Sequence, residues 1–194
     1  MGHGHDHKHG HRPHGGHAHA HETPAHGPSP AGEHRSDAPT HVSCFVLTCS
    51  DSRAHADDVS GRALREGLEA AGHSVVGQTV VRDEPEQIRA AVERGLEGGA
   101  RAVLITGGTG ITRRDQTVEA IRPLLEKELP GFGELFRMLS FQEIGSAAWL
   151  SRALAGTARG ALIFVLPGSP NAVRLALDRL ILPELGHAVR ELSR

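Results

Sequence analysis

Residues 101–106, Arg-Ala-Val-Leu-Ile-Thr, run directly into Gly107-Gly108-Thr109-Gly110. A strand that is apolar at consecutive positions has no face to give to water. It must be covered on both sides, as parallel strands are when helices pack on each face of a sheet. Residues 42–49 (Val-Ser-Cys-Phe-Val-Leu-Thr-Cys) and 161–166 (Ala-Leu-Ile-Phe-Val-Leu) read the same way, and 74–81 adds Val75, Val76, Val80 and Val81. Between these runs the period changes to that of a helix. Val59, Ala63, Leu64, Leu68 and Ala71 share one face over 59–71, where Gly72 stops the helix. Ile88, Ala91, Val92 and Leu96 share another over 85–97, with Pro85 placed to open it. The alternation predicts an α/β fold, a three-layer α/β/α sandwich with a mostly parallel sheet. Two or three short helices are expected between 117 and 154, with breaks near Pro123 and at Pro130-Gly131. Residues 151–160 are expected to add a short antiparallel edge strand. A final helix carries Val173, Leu177, Leu180 and Ile181.

Composition divides the chain in two. Twelve of the 15 histidines fall in residues 1–41, a stretch without Leu, Ile, Phe or Trp. Such a segment cannot bury enough apolar surface to offset its ordering entropy, so 1–41 reads as a disordered His-rich tail and 42–194 as one domain. The roughly 150 remaining residues suffice for a core. The net charge is -2 and Lys and Arg form no stripe, which argues against a nucleic-acid partner. No apolar run approaches the length of a membrane-spanning helix, and the N-terminus has no apolar segment typical of a secretory signal. These features suit a cytoplasmic protein without a membrane partner. Cys44 and Cys49 are five apart; on one strand they face opposite sides and cannot bridge.

In open α/β sheets, ligands bind beyond the carboxyl ends of the strands. The segments that follow the strands here are Ser50-Asp51-Ser52-Arg53, Arg82-Asp83-Glu84, Gly107-Gly108-Thr109-Gly110 and Pro167-Gly168-Ser169, each polar, glycine-rich or both. Three glycines in four residues let successive amides converge on an anion, Thr109 adds a hydroxyl, and Arg113 and Arg114 offset negative charge. The spacing is neither that of a P-loop nor G-x-G-x-x-G. A tight turn without a ligand would also use glycines here. Asp83 and Asp115 come from different loops, and carboxylates beside bound phosphates commonly hold Mg²⁺. Asp51, Asp58 and Glu119 are further candidates; helix capping is the alternative, and it is the favoured reading for Asp58, just before the helix over 59–71. Ser169-Pro170 reads as an N-cap followed by a helix-opening proline. Trp149 and its neighbours Ala147, Ala148 and Leu150 suit packing or a subunit interface.

The segments Thr106-Gly107-Gly108-Thr109-Gly110, Arg114-Asp115-x-Thr117, Leu129-Pro130-Gly131-Phe132-Gly133-Glu134, Ser151-Arg152 and Leu166-Pro167-Gly168-Ser169-Pro170 closely resemble, in order, the MoaB/MogA family of molybdenum cofactor biosynthesis. Ser50-Asp51, Ser60-Gly61 and Asp83-Glu84 fit the same pattern, and the resemblance spans roughly 42–190. It implies the molybdopterin-binding fold and a molybdopterin adenylyltransferase, a nucleotidyltransferase that takes Mg-ATP and molybdopterin and releases pyrophosphate. It maps catalysis and Mg²⁺ onto Asp83 and Asp115. It maps the nucleotide phosphates onto Gly107, Gly108, Thr109, Gly110, Ser50 and Asp51, and the pterin side onto Ser146, Pro167, Gly168 and Ser169. It also implies a homo-oligomer, a trimer or hexamer. One departure is Thr117-Val118-Glu119-Ala120, where the family usually has Thr-Pro-[Asp/Glu]-Ala; losing a proline at a helix start costs rigidity and not chemistry. Two other functions fit the same residues: a protein that carries molybdopterin without efficient catalysis, and a metal-handling protein acting through its tail. His3, His5, His7, His9 and His11 alternate along that tail, and imidazole suits Zn, Ni and Cu.

Overall fold

The computed structural model describes residues 1–2, 39–51 and 57–194. Ser52 and Arg53, and the tail histidines His3, His5, His7, His9 and His11, lie outside the described residues. Strands β1 (Ser43–Cys49), β2 (Ser74–Val81), β3 (Ala102–Thr106), β4 (Lys127–Glu128), β5 (Leu154–Ala158) and β6 (Ala161–Leu166) form one sheet in the order β2-β1-β3-β6-β5-β4. β2, β1, β3 and β6 pair in parallel; β5 is antiparallel to β6, and β4 to β5. The helices are α1 (Val59–Ala70), α2 (Pro85–Glu97), α3 (Thr117–Ile121), α4 (Pro130–Ile144), α5 (Pro170–Ala176) and α6 (Leu185–Glu191).

Side chains of the central strands alternate between two cores. Cys44, Val46, Ala102, Leu104, Leu162, Phe164 and Leu166 meet Leu64 and Leu68 of α1, Phe136 of α4 and Val173 of α5. Phe45, Leu47, Val103, Ile105, Ile163 and Val165 meet Ile88, Ala91 and Val92 of α2 and Val118 and Ile121 of α3. The sheet therefore has helices on both faces, in the three layers that its doubly apolar strands require. Cys44 and Cys49 lie in opposite cores as free thiols, which burial pushes up to about 12.

Three local expectations need correction. The strand within 151–160 is antiparallel, as expected, but it is not the edge. β5 is buried throughout, and the two-residue β4 covers its outer side. Arg159 and Gly160 both have positive φ, 52° and 72°, as a two-residue type I′ hairpin between β5 and β6 demands. The helices after Thr117 are not all short, because α4 runs 15 residues with Pro130 in its first turn rather than at a break. The single final helix is interrupted by a wide π-turn over Leu177–Ile181 and resumes as α6 beyond Pro183, which has no N–H to give a continuing helix. No described helix is long and apolar enough to cross a membrane.

Candidate functional site

The chain leaves β1 for the edge strand β2, then crosses back to β3 on the other side of β1. Connections on the two sides of such a reversal diverge and open a crevice at the carboxyl ends of the strands. The turn after β3 lies centrally there, between the exits of β1 and β6. Gly107 donates its N–H to Leu166 O at 3.0 Å, and the Thr106 hydroxyl donates to Pro167 O at 2.9 Å. A Cβ on Gly107 would lie 2.1 Å from the Cys49 carbonyl oxygen, and its φ of 99° already excludes most side chains. Gly108 has φ 61°, and a Cβ there would lie 2.2 Å from both Asp83 Oδ2 and Thr117 Oγ1.

The two carboxylates occupy different environments. Asp83 Oδ1 accepts the Gln116 N–H at 3.1 Å and the Thr117 hydroxyl at 3.2 Å, with the residue only 8% exposed. Burial pushes this carboxyl above the usual range and outweighs those two bonds, while the nearby Asp115 and Asp51 charges add to the upward push. Asp115 Oδ2 accepts the Thr112 N–H at 2.8 Å and the Thr112 hydroxyl at 2.6 Å. Burial raises the Asp115 carboxyl too, but the Thr112 and Gly110 donors and the Arg152 charge win, so it is held below the ordinary value. Asp51 is also held low, chiefly by Arg114, whose Nε and Nη2 donate to Asp51 Oδ2 at 2.9 and 2.6 Å.

A cleft of about 680 Å³ gathers Ser50, Gly107, Gly108, Thr109, Gly110, Asp115, Pro167, Gly168 and Ser169 on one surface. Its far wall is made by Ser140 and Ile144 of α4 and by Ala147, Leu150 and Ser151. Ser169 caps α5, its Oγ accepting the Ala172 N–H at 3.2 Å, and Ser60 Oγ donates to Gly168 O at 2.9 Å to hold that loop. Asp51 and Asp83 lie beside the cleft rather than on its lining. Ser146 is exposed on the 3₁₀ turn Gly145–Leu150, outside the lining, whereas Ser140 and Ser151 face the cleft. Trp149 is exposed and is not on the cleft lining, although its neighbours Ala148 and Leu150 are. Asp58 is a buried cap: it accepts the Gly61 N–H at 2.8 Å and the Thr48 hydroxyl at 2.7 Å. Glu119 pairs with Arg152, which also reaches Thr109 O and Asp115 O. Nothing in the local pattern around Arg152 marks that role, since its partners lie more than 30 residues away in sequence.

Among the described residues no three His, Cys, Asp or Glu side chains converge as a metal cluster. Mg²⁺ needs fewer, because it keeps waters and takes substrate phosphate oxygens beside one or two carboxylates. The hard oxygen donors of Asp115 and Asp83, one of them held ionised, fit that ion.

These features define a class: a doubly covered, mostly parallel α/β domain with a glycine-lined ligand cleft at the strand ends. Residues 45–187 match a family described as "Probable molybdopterin binding domain". The chain is 53% identical over 164 residues to the Molybdenum cofactor biosynthesis protein B of Halalkalibacterium halodurans, covering 84% of this chain and 96% of that one. A crystal structure of a Molybdenum cofactor biosynthesis protein B superposes with TM-score 0.78 at 52% identity, covering 81% and 99% of the two chains. The tungsten cofactor synthesizing protein MoaB from Pyrococcus furiosus gives TM-score 0.76 at 40% identity, over 81% and 100%. The chain belongs to the MoaB/MogA family of molybdenum cofactor biosynthesis.

Proposed function

We propose that the protein adenylylates molybdopterin with Mg-ATP. The observation that carries this reading is the meeting, in one cleft, of the glycine turn with its Gly108 and Thr109 amides, the ionised Asp115 and the Pro167-Gly168-Ser169 loop, in a chain of this family. The cleft suits a phosphate group at one end and a flat heterocycle against Ile144, Ala147 and Leu150 at the other. In the reaction a phosphate oxygen of molybdopterin attacks the α-phosphorus of ATP. The bond from that phosphorus to the bridging oxygen breaks, and pyrophosphate leaves with both electrons. The nucleophile needs no general base, since a phosphate monoester is already an anion near neutral pH. The Gly108 and Thr109 amides, fixed before the substrates arrive, stabilise charge that builds on the transferring phosphoryl group. Asp115 and Asp83 would hold Mg²⁺, which supplies charge neutralisation for the phosphates when bound.

The protein is also proposed to work as a homo-oligomer. Leu135, Met138, Phe141 and Ile144 of α4 are exposed together with Trp149 and Leu150, an apolar surface larger than isolated exposed residues make. Ile144 and Leu150 also line the cleft, so a second copy on this face would extend its wall.

Asp115→Ala removes the ionised carboxylate from the cleft. It is expected to abolish ATP- and Mg²⁺-dependent formation of adenylylated molybdopterin with the fold intact by circular dichroism. Near-wild-type turnover in that variant would remove the metal assignment. Absence of product with the wild-type protein, despite molybdopterin binding, would leave a carrier in place of an enzyme.

A further inference from the structure

Two peptide planes carry the link between the glycine turn and the two carboxylates. The carbonyl of Thr109 and the N–H of Gly110 belong to one peptide; the carbonyl of Asp115 and the N–H of Gln116 belong to another. The described residues have no cis peptide bonds, and in a trans peptide the C=O and N–H point in opposite directions. In both peptides the carbonyl side is taken by the same residue. Arg152 Nε donates to Thr109 O at 3.1 Å, and Arg152 Nη2 donates to Asp115 O at 3.0 Å. On the opposite sides, the Gly110 amide lies near the Asp115 carboxylate and helps hold it low, and the Gln116 N–H donates to Asp83 Oδ1 at 3.1 Å. Thus each carboxylate rests on an amide whose own carbonyl is held by Arg152.

We propose that Arg152 is a positioning residue for the candidate site: its guanidinium pins the Thr109–Gly110 and Asp115–Gln116 peptides and, through their amides, keeps Asp115 and Asp83 in register with each other. The inference rests on the adenylyltransferase reading for its functional consequence, but the geometry stands without it. Thr109 and Asp115 are the two ends of the excursion that carries Arg113 and Arg114, so a single planar group closes that loop. Arg152 comes from the far wall, at the entry to β5, which ties the loop to the opposite side of the domain.

Arginine suits this task and lysine does not. A guanidinium offers N–H groups in three fixed directions within one plane, whereas an ammonium is a single point. The third direction is used as well: Arg152 Nη1 pairs with the Glu119 carboxylate. The Arg152 and Glu119 side chains are 29% and 48% exposed, and exposed ion pairs add little stability. The value of that pair is therefore geometric, since it stops the guanidinium from rotating about its long stem.

The test uses Arg152→Gln, Arg152→Lys and Glu119→Gln in the full chain, with two readouts. The first is hydrogen–deuterium exchange of the substrate-free protein, comparing the segment 107–117 with the β3 core segment 101–106. Arg152→Gln is expected to speed exchange about 10-fold in 107–117, the factor that corresponds to losing one hydrogen bond of ordinary strength, and to leave 101–106 unchanged. The second is steady-state kinetics. Arg152→Gln is expected to lower kcat about 100-fold, as misplacing reacting groups by an ångström does, with the KM for molybdopterin unchanged. Arg152→Lys keeps the charge and loses the fork, so it is expected to restore less than half of the lost protection. Glu119→Gln is expected to give a milder version of both effects. Unchanged exchange in 107–117 with Arg152→Gln overturns the proposal, as does faster exchange spread equally over 101–106, which would mark a general structural role. If Arg152→Gln does not fold, Arg152→Lys and Glu119→Gln decide by the same readouts. Because exchange is read without substrate, wild-type protein that forms no adenylylated product would sink the enzymatic reading alone.

Discussion

Replacing Asp83 by Asn should make the protein more stable and inactive. Both hydrogen bonds to the Asp83 carboxylate end on Oδ1, from the Gln116 N–H and the Thr117 hydroxyl, so the amide oxygen of Asn can keep them. The replacement removes a charge that is 8% exposed and faces the Asp115 and Asp51 charges. Burial raises the Asp83 carboxyl above its ordinary 3.8 in spite of its two donors, so desolvation wins over hydrogen bonding at this position. The sign follows. A carboxyl with a raised native pKa favours folding while it is protonated, and that benefit is lost as pH rises through the native value. The gain from Asp83→Asn should therefore be near zero below pH 3.8 and reach its plateau at neutral pH. Two like charges 4 Å apart interact by about 1 kcal/mol in water and about 4 kcal/mol in a partly buried setting, and Arg114 offsets part of this here. An expected gain of about 1 kcal/mol corresponds to about 2–4 °C in Tm for a domain of this size. Urea denaturation at pH 7.5 and at pH 4.5 measures the gain, and product formation from molybdopterin and Mg-ATP measures the loss of activity. A variant destabilised by about 1 kcal/mol or more at pH 7.5, or a gain that is larger at pH 4.5, would refute this account of the site's electrostatics.

Gly107→Ala is expected to cost about 3 kcal/mol or more, because positive-φ strain adds to a contact with backbone that cannot yield. Gly160→Ala has a positive φ of 72° but meets nothing within 4 Å, so thermal denaturation should show a much smaller loss; equal losses would remove the packing argument. Phe141→Asp places a charge on the exposed face of α4 and is expected to convert the proposed oligomer to monomer in light scattering, a prediction that fails if the wild-type protein is itself monomeric at tens of micromolar. Ni²⁺ or Zn²⁺ titrated into the full chain and into residues 42–194 should show extra sites only in the full chain; equal stoichiometry would remove the tail histidines as ligands. The shorter form is a fair comparison, since a solved relative covers 81% of this chain with 99% of its own.

The strands that carry the fold were legible because burial on both faces leaves consecutive apolar residues, and β2 and β6 match their sequence limits residue for residue. β4 was not legible. Lys127 and Glu128 are exposed and held by backbone pairing to Thr157 and Gly156, which leaves no trace in side-chain pattern. The interruption after Ala176 was hidden because Leu177 and Ile181 keep a helical apolar spacing through the π-turn. At the site, the residues that line the cleft follow strand ends and could be named from the rim rule. Which of them face it could not. Ser140 sits in the middle of a helix, and Ser146 belongs to a turn whose direction depends on how α4 ends at Gly145. Arg152 was visible only as part of a matching segment, because two of its partners are carbonyl oxygens, which have no sequence signature, and the third, Glu119, lies 33 residues away.

The glycine-rich turn also has less to do with the ligand than its composition suggests. β3 lies at the centre of the parallel strands, so its exit passes between the exits of β1 and β6. A Cβ on Gly168 would already lie 3.3 Å from Gly107 Cα, and one on Gly107 would enter the Cys49 carbonyl. Gly107 is therefore required by the sheet whether or not anything binds. Gly108 and Gly110 are required for a different reason, since added Cβ atoms would fall 2.2 Å from Asp83 Oδ2 and 2.7 Å from Asp115 Oδ2. Those two glycines make room for carboxylates, and a tight turn serving packing alone would have no use for acidic side chains pressed against it. One of these acids is buried at a cost in charge desolvation and the other is kept ionised by a ring of donors. Keeping two unlike carboxylates beside the Gly108 and Thr109 amides, at a cost in charge desolvation, is what favours the proposed phosphate site over a turn that serves packing alone.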